Sequence, residues 1–227
     1  MTENKLIFDQ RERLSQVIDD SDISDRYIMF LYNLKRAKYL RQDLNNLQKT
    51  VDNSIIQEFC LEMEEVSIND CNVDYECGTI MRSVKPIPKP LELHLKSAIT
   101  KVKPTNKIAL PFNYVDKSRA IYSQYSVFGN SIYSFLDVDL HIYLVSTSEL
   151  VKMIDCLTVA GIFESPEELY NYKNCCGCND SLPCYDSDFT EYPLQAHHID
   201  TISEEIFQVL VNKLKVPEDK INNSDDN

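Results

Sequence analysis

The spacing of apolar residues predicts a long amphipathic helix after a largely polar and charged N-terminal stretch. Asp22 can cap this helix, and Asp25 places a carboxylate near the positive end of the helix dipole. Apolar side chains then recur at steps of three and four, which is typical of one helical stripe. We expect the helix to stop at Asp52-Asn53-Ser54. The stripe comprises Tyr27, Phe30, Leu34, Ala37, Leu40, Leu44, Leu47 and Val51.

The pattern then changes to alternation, which predicts a β-strand. Phe59, Leu61 and Met63 alternate with polar or smaller neighbours, as expected for a strand with one buried face. Val66 and Ile68 continue in the other phase, which indicates a bulge at the end of this strand.

A second strand is expected over residues 78–84, and a proline-rich connector follows it. Proline lacks the backbone N–H that a central strand must donate. The connector is therefore predicted to be a polyproline-like segment or a sheet edge. Its prolines are Pro86, Pro88 and Pro90.

The segment from Leu95 to Val145 is interpreted as β-structure throughout. Residues 121–128 and 132–135 predict the two strands of a hairpin, with Gly129-Asn130 as its turn. Residues 140–145 predict a further strand. Short strands around turns are marked by Val102, Ile108, Leu110, Phe112 and Val115.

The region after residue 145 is expected to combine one buried strand with short helices. Residues 157–163 form an apolar run that predicts a buried strand, whereas residues 146–156 fit either a short helix or an approach to that strand. Ser165 and Pro166 have the residue types favoured at a helix cap and at the first helical position.

A final helix is expected in the C-terminal region. Thr201 and Glu204 have the spacing of a capping box, and Pro217 is expected to end the helix. Residues 218–227 are polar and are expected to be mobile in isolation. The apolar side of the helix comprises Ile202, Ile206, Val209 and Leu210.

Together these elements predict an α+β fold. It has a long N-terminal helix, a central, mostly antiparallel β domain, and a C-terminal helix with a flexible acidic tail. We expect an N-terminal helical region at 1–56 and a β-rich central domain at 57–164. Residues 165–216 would hold a short helix, a cysteine-rich loop and the C-terminal helix, and residues 217–227 the tail.

The charge balance is strongly acidic, with 36 Asp and Glu against 23 Lys and Arg and a net charge of −13. Such a surface repels the nucleic-acid backbone, which argues against general DNA or RNA binding. Glycine is scarce and no phosphate-binding glycine motif occurs. We see no signal sequence or membrane-spanning apolar run, so we expect a chain made in a cytoplasm, with cysteines as thiols or metal ligands.

A cysteine-rich loop is the strongest candidate for chemistry. A structural zinc site would combine Cys175, Cys178, Cys184 and His197, but a single C-x-x-C pair favours a packed loop without metal. A cysteine nucleophile is disfavoured because the thiols and the four histidines form no local signature with a base and an orienting group. The sequence therefore predicts no catalytic, cofactor-binding or metal-binding residues, and a protein that is not an enzyme.

Two further groups of side chains have competing interpretations. Lys35, Arg36, Lys38 and Arg41 are the one local excess of positive charge, which indicates either a solvated helix surface or a salt-bridge seam between subunits. The aromatic residues within 122–135 lack the basic flanks of a base-stacking platform. They are therefore interpreted as sheet core or as a protein–protein interface.

Several short motifs occur in order along residues 20–220. The most specific are Arg82-Ser83-x-x-x-Ile87-Pro88 and Gly161-Ile162-Phe163-Glu164-x-Pro166-Glu167-Glu168. The others are Asp25-Arg26-Tyr27-Ile28, Arg36-Ala37-x-Tyr39, Cys71, Cys77, Ile99-x-x-Val102, Tyr192-Pro193-Leu194 and Pro217-Glu218-Asp219. In this order the motifs resemble virion structural proteins of crAss-like short-tailed bacteriophages, in the ring or head-to-tail connector class. The loop from Cys175 to Cys184 has no counterpart in the resemblance.

The resemblance implies a non-enzymatic ring of about twelve copies that joins the portal to the tail around the DNA channel. It implies that the partners are other copies, the portal protein and adjacent ring or tail proteins. DNA would pass without specific binding, and no membrane would be involved. The expected location is the virion, after assembly in the cytoplasm of a bacterial host. The alternative hypotheses are a small metal-binding regulatory protein that uses the cysteine-rich loop and, less favoured, a cysteine enzyme.

Overall fold

The computed structural model describes residues 1–17, 23–46, 52–66, 79–94, 96–105, 110–125, 131–172 and 184–214. Within these ranges it confirms an α+β fold, in which a mostly antiparallel sheet of seven strands accompanies a helical layer. The helices are α1 (Glu3–Ser15), α2 (Asp25–Leu44), α3 (Lys117–Tyr122) and α4 (Ala196–Leu214). The strands are β1 (Gln57–Glu65), β2 (Thr79–Ser83), β3 (Ile99–Pro104), β4 (Asn113–Tyr114), β5 (Tyr133–Leu136), β6 (Ile142–Ser146) and β7 (Cys156–Gly161).

The strand order is β3-β7-β1-β2-β6-β5-β4, and the pair β4–β5 is parallel while the other neighbours are antiparallel. The alternation in β1 is confirmed, because Phe59, Leu61 and Met63 all lie in one core cluster. The buried strand expected at 157–163 is confirmed as β7 and the residues after it. Because β7 lies between β3 and β1, its apolar run has neighbours on both edges.

The helices α1, α2 and α4 pack around a second core. Gln10 of α1 lies inside this core, where its Nε2 donates to the Tyr32 hydroxyl at 3.0 Å and to the Ser203 carbonyl at 2.9 Å. One polar side chain thereby joins all three helices. A third cluster links α2 to the sheet side and comprises Ala37, Leu40, Leu44, Ile55, Leu91, Ala98 and Ile162.

The polar N-terminal stretch, for which the sequence predicts no separate helix, folds as α1. Its buried row contains Leu6, Gln10 and Leu14, about one residue in four. With so few buried positions, the helix has no apolar stripe that the sequence pattern could reveal. The cap of α2 is Ser24, whose hydroxyl accepts the Tyr27 N–H at 3.3 Å. The predicted cap Asp22 and the stripe residues Leu47 and Val51 lie outside the described residues.

The hairpin strand predicted over residues 121–128 is wrong. The helix α3 and a 3₁₀ turn at Ser123–Tyr125 occupy the described part of this segment. Tyr122 and Tyr125 are exposed three positions apart while Ala120 is buried, a spacing that suits a helical turn better than a strand. The predicted turn at Gly129-Asn130 lies outside the described residues, and the strands near 132–135 and 140–145 are confirmed as β5 and β6.

The capping box predicted for the last helix is wrong, because α4 begins at Ala196 and Thr201 lies inside it. The apolar row is largely confirmed, with Ile202, Ile206 and Leu210 buried. Residues 215–227, including Pro217, lie outside the described residues. Among the helices that the structure describes, none is both long enough and apolar enough to cross a membrane.

The connector through Pro86, Pro88 and Pro90 is confirmed as an irregular segment between strands. Pro90 forms one isolated bridge with Phe163, which is compatible with its missing N–H. Of the two alternatives for residues 146–156, the structure has the short helix, a 3₁₀ turn at Glu149–Met153. The short helix expected after Ser165 is a 3₁₀ turn at Pro166–Asn171.

Candidate assembly surface

An exposed apolar stripe lies on the outer face of α2. Phe30 and Leu34, one turn apart, are 58% and 54% exposed. Together with Ala37 and with Glu164 and Glu167 from the segment after β7, they line an open groove of about 240 Å³. Adjacent exposed apolar side chains beside a concave surface are typical of sites of protein contact.

The rim of this groove is charged. Arg26 is exposed at the edge of the groove, and the Arg41 guanidinium contacts the Glu164 carboxylate at 2.6 Å. An apolar centre inside a polar rim is the usual organisation of a protein–protein interface. The groove therefore offers apolar contact at its centre and charged groups for orientation at its edge.

The helical stripe predicted from the sequence is only partly buried. Ala37, Leu40 and Leu44 are buried as expected, but Phe30 and Leu34 face solvent. The first half of α2 instead turns other side chains towards α1 and α4. The buried residues of α2 are Ile28, Met29, Leu31, Tyr32, Asn33, Arg36, Ala37, Leu40 and Leu44.

Arg36 is the largest fully buried side chain of the described residues. Its Nε donates to the Pro193 carbonyl at 2.8 Å, and its Nη1 donates to the Phe163 carbonyl at 2.7 Å. The guanidinium carbon lies 5.8 Å from the ring centre of Tyr192. Burial lowers the pKa of Arg36, because desolvation disfavours the charged form. Arg36 thereby joins α2 to the segment after β7 and to the segment before α4.

The interpretation of the basic cluster as a salt-bridge seam between subunits is wrong for Arg36, which is buried within its own chain. Lys35 binds Glu205 of α4 through its Nζ at 2.6 Å, and Arg41 has the intrachain partner described above. Lys38 is exposed on α2. Most of the positive charge in this cluster therefore holds α2 to the rest of the fold.

A buried polar network supports the floor of the groove. The Asn33 amide donates to both carboxylate oxygens of Glu167 at 2.8 and 2.9 Å. The Tyr192 hydroxyl donates to Asn33 Oδ1 at 2.8 Å, and burial raises the pKa of Tyr192, which favours the protonated donor. These bonds fix Glu167 beside Phe30 and Leu34, so this wall of the groove is preorganised.

A buried carboxyl group in α1 is expected to make the stability depend on pH. Glu3 Oε2 accepts a hydrogen bond from the Tyr185 hydroxyl at 3.0 Å, yet burial raises the pKa of Glu3 above its ordinary value. Ionised Glu3 therefore costs stability at neutral pH. This cost declines as the pH falls through the folded pKa and is absent below the unfolded pKa.

The variant Glu3→Gln should raise the thermal unfolding midpoint by a few degrees at about pH 7, because the amide has no charge to desolvate. At about pH 3 the variant and the parent should unfold together, because both side chains are then neutral. Circular dichroism melts across this pH range measure the difference. A variant that is less stable than the parent at neutral pH would contradict the assigned cost.

The structure describes only Cys184 and His197 of the disfavoured zinc candidate and therefore does not test that site. Cys175 and Cys178 lie outside the described residues. Burial raises the pKa of the Cys184 thiol to about 12, which disfavours the thiolate that zinc requires. His197 is exposed in the first turn of α4, and the described ligand groups that converge with it are Asp43 and His198. The pair His197-His198 is the sequence signal for this cluster, whereas nothing in the sequence pattern points to Asp43.

The aromatic residues of the 122–135 segment are divided between core and surface. Phe135 is buried and stacks on Tyr143 with 5.3 Å between ring centres, which confirms the interpretation as sheet core for this residue. Tyr122 and Tyr125 are exposed. Phe128 lies outside the described residues.

An exposed apolar groove on a rigid support is typical of proteins that contact other proteins. The comparison with protein families agrees: the model of a family described as phage tail ring protein 2 matches residues 9–227. The chain belongs to this family of phage tail ring proteins. The Ring protein 2 of Bacteroides phage crAss001 is 24% identical over 231 residues, which cover 100% of this chain and 96% of that protein. The chain is thus a structural ring component of a phage virion.

Proposed function

We propose that copies of this chain form a closed ring between the portal and the rest of the tail, with the DNA channel at its centre. Membership of the phage tail ring protein 2 family supports the ring. In a cyclic ring of about twelve copies, each copy binds the next through two different surfaces. A surface patch built for such a contact must therefore face solvent in the isolated chain.

The groove on α2 carries this proposal. Phe30 and Leu34 supply exposed apolar area at its centre, and Arg26 supplies positive charge at its rim. Acidic residues outnumber basic ones by 36 to 23, so a neighbouring copy has abundant carboxylates to pair with Arg26. The occupant of the groove is accordingly a second copy of this chain.

The net charge of −13 supports passage of DNA without capture. Phosphate binding by proteins depends on basic side chains that displace counterions, and the overall balance here has the opposite sign. A ring of these copies multiplies that negative charge. DNA is expected to slide through the channel without a specific contact to this protein.

Quantitative mass spectrometry of purified phage particles tests the proposal. We expect about twelve copies of the chain per particle. A photo-crosslinking amino acid at position 34 should yield dimers of the chain in the same particles. A matched crosslinker at position 138, an exposed site in the turn before β6, should yield few. Particles that lack the chain would exclude the ring, and particles that contain it without crosslinks at position 34 would exclude the groove as the contact.

A further inference from the structure

The end of α2 and the start of α4 bring three potential metal ligands together. Asp43 lies in the last turn of α2, and His197 and His198 lie in the first turn of α4. One ligand atom from each residue lies within 4.8 Å of the other two. His198 Nε2 is 2.7 Å from Asp43 Oδ2, and the rings of the two histidines are 4.0 Å apart at their centres.

We propose that this cluster binds a divalent transition-metal ion of the zinc class, a site that goes beyond the proposed ring function. Imidazole nitrogen and carboxylate oxygen are ligands that zinc takes in proteins, and three protein ligands with one open position form a common arrangement. In a tetrahedral site with bonds of about 2.1 Å, ligand atoms lie roughly 3.4 Å apart. The pair at 2.7 Å must therefore open slightly, and more widely spaced ligand atoms must approach each other.

The surroundings hold part of the cluster in place before metal arrives. His198 and Asp43 are mostly buried. The ring of Tyr39 lies 5.0 Å from the ring of His198, and the Tyr39 hydroxyl donates to Glu205 at 2.5 Å. Because Lys35 also binds Glu205, the acceptor of the Tyr39 hydroxyl is itself held in place. Fixed neighbours lower the ordering cost of metal binding.

A cation can reach the cluster from solvent. His197 is exposed and forms part of the wall of an open cavity of about 610 Å³. Asp52 lines the same cavity and attracts cations towards it, whereas Glu191 on the same wall is paired with the amino group of Met1 at 3.8 Å. The fourth coordination position is accessible from this side, where a water molecule can occupy it.

A simple ion pair between His198 and Asp43 does not explain the position of His197, whereas a metal site does. Such a pair needs one imidazole, whereas the structure places a second imidazole against the first. Two neutral imidazoles with one carboxylate match the donor set of a divalent transition metal.

Titration of the purified full-length chain with Co²⁺ tests the site, because cobalt reports its ligands by absorption. The parent chain should bind at least one equivalent of Co²⁺ with a spectrum of nitrogen and oxygen ligands. His197→Ala should bind one equivalent less, or bind it at least about tenfold more weakly. Asp43→Asn should weaken the same equivalent. His94→Ala, which removes an exposed histidine that is not a member of the cluster, should bind like the parent.

The eight cysteines require a separate readout. Cobalt bound by thiolates gives an intense charge-transfer absorption, and His197→Ala should leave any such band unchanged. Added Zn²⁺ should raise the unfolding midpoint more in the parent than in His197→Ala, because an ion that binds only the folded state stabilises it. Equal cobalt binding by the parent and His197→Ala, or no binding by the parent, would overturn the site. Both results leave the ring proposal intact, because they concern the isolated chain.

Discussion

Leu34→Glu should remove the chain from assembled particles while leaving its fold intact. Leu34 contributes its exposed side chain to the centre of the α2 groove. A carboxylate placed there must be desolvated when a neighbouring copy packs against it, and it faces Glu164 and Glu167 across the groove. The loss of a central hot-spot contact in an interface costs about 2 kcal/mol or more, which is more than a tenfold loss of affinity.

Incorporation measures this effect directly. Particles assembled with Leu34→Glu as the only source of the chain should contain at least about tenfold fewer copies than particles with the parent chain. The matched control is Leu150→Glu, which introduces the same charge at a leucine that is 61% exposed in a separate 3₁₀ turn. Both variants should keep the unfolding midpoint of the parent, since exposed substitutions change stability by about 0.5 kcal/mol or less. Normal incorporation of Leu34→Glu would exclude the groove.

Arg36→Met should give a large loss of stability. Methionine can follow the path of the arginine stem, but it supplies no donor to the carbonyls of Phe163 and Pro193. A buried acceptor left without its donor costs about 1–3 kcal/mol, so two of them cost about 2–6 kcal/mol. Removing the buried charge offsets part of this cost, because the Nη2 atom of Arg36 has no hydrogen-bond partner among the described residues. We expect a net loss of about 2–4 kcal/mol.

Urea unfolding monitored by circular dichroism measures this loss. The control is Lys38→Met, which makes a comparable deletion of charge at an exposed position two residues along the same helix. Lys38→Met should change the free energy of unfolding by about 0.5 kcal/mol or less. If Arg36→Met proved as stable as the parent chain, the carbonyl bonds of Arg36 would have no net role in joining α2 to its neighbours.

The periodic part of the sequence predicted much of the fold. Strand β1 could be predicted because Phe59, Leu61 and Met63 alternate with less apolar residues. Strand β7 could be predicted from its apolar run, which matches its position between two neighbouring strands. Helix α1 could not be predicted from the apolar pattern, because few of its residues are buried and one of these is Gln10. The apolar stripe correctly predicted that α2 is a helix, but it wrongly predicted that Phe30 and Leu34 are buried.

The functional groups depended more on tertiary structure. The sequence pattern places Arg36 in a charged surface cluster. Its burial depends on two backbone carbonyls from segments that are distant in the sequence. Asp43 and His198 are 155 residues apart, so no local sequence pattern could predict their contact. The virion role came from an ordered set of motifs, and the family comparison confirms it independently of the geometry.

Cryo-electron microscopy of purified particles tests the ring most directly. We expect a closed ring below the portal in which each copy shows the seven-stranded sheet with α2 at the boundary to the next copy. Density from a neighbouring copy should fill the groove between Phe30 and Leu34 and the segment after β7. A ring in which this groove faces solvent, or a tail that contains no copy of this fold, would contradict the proposed assembly.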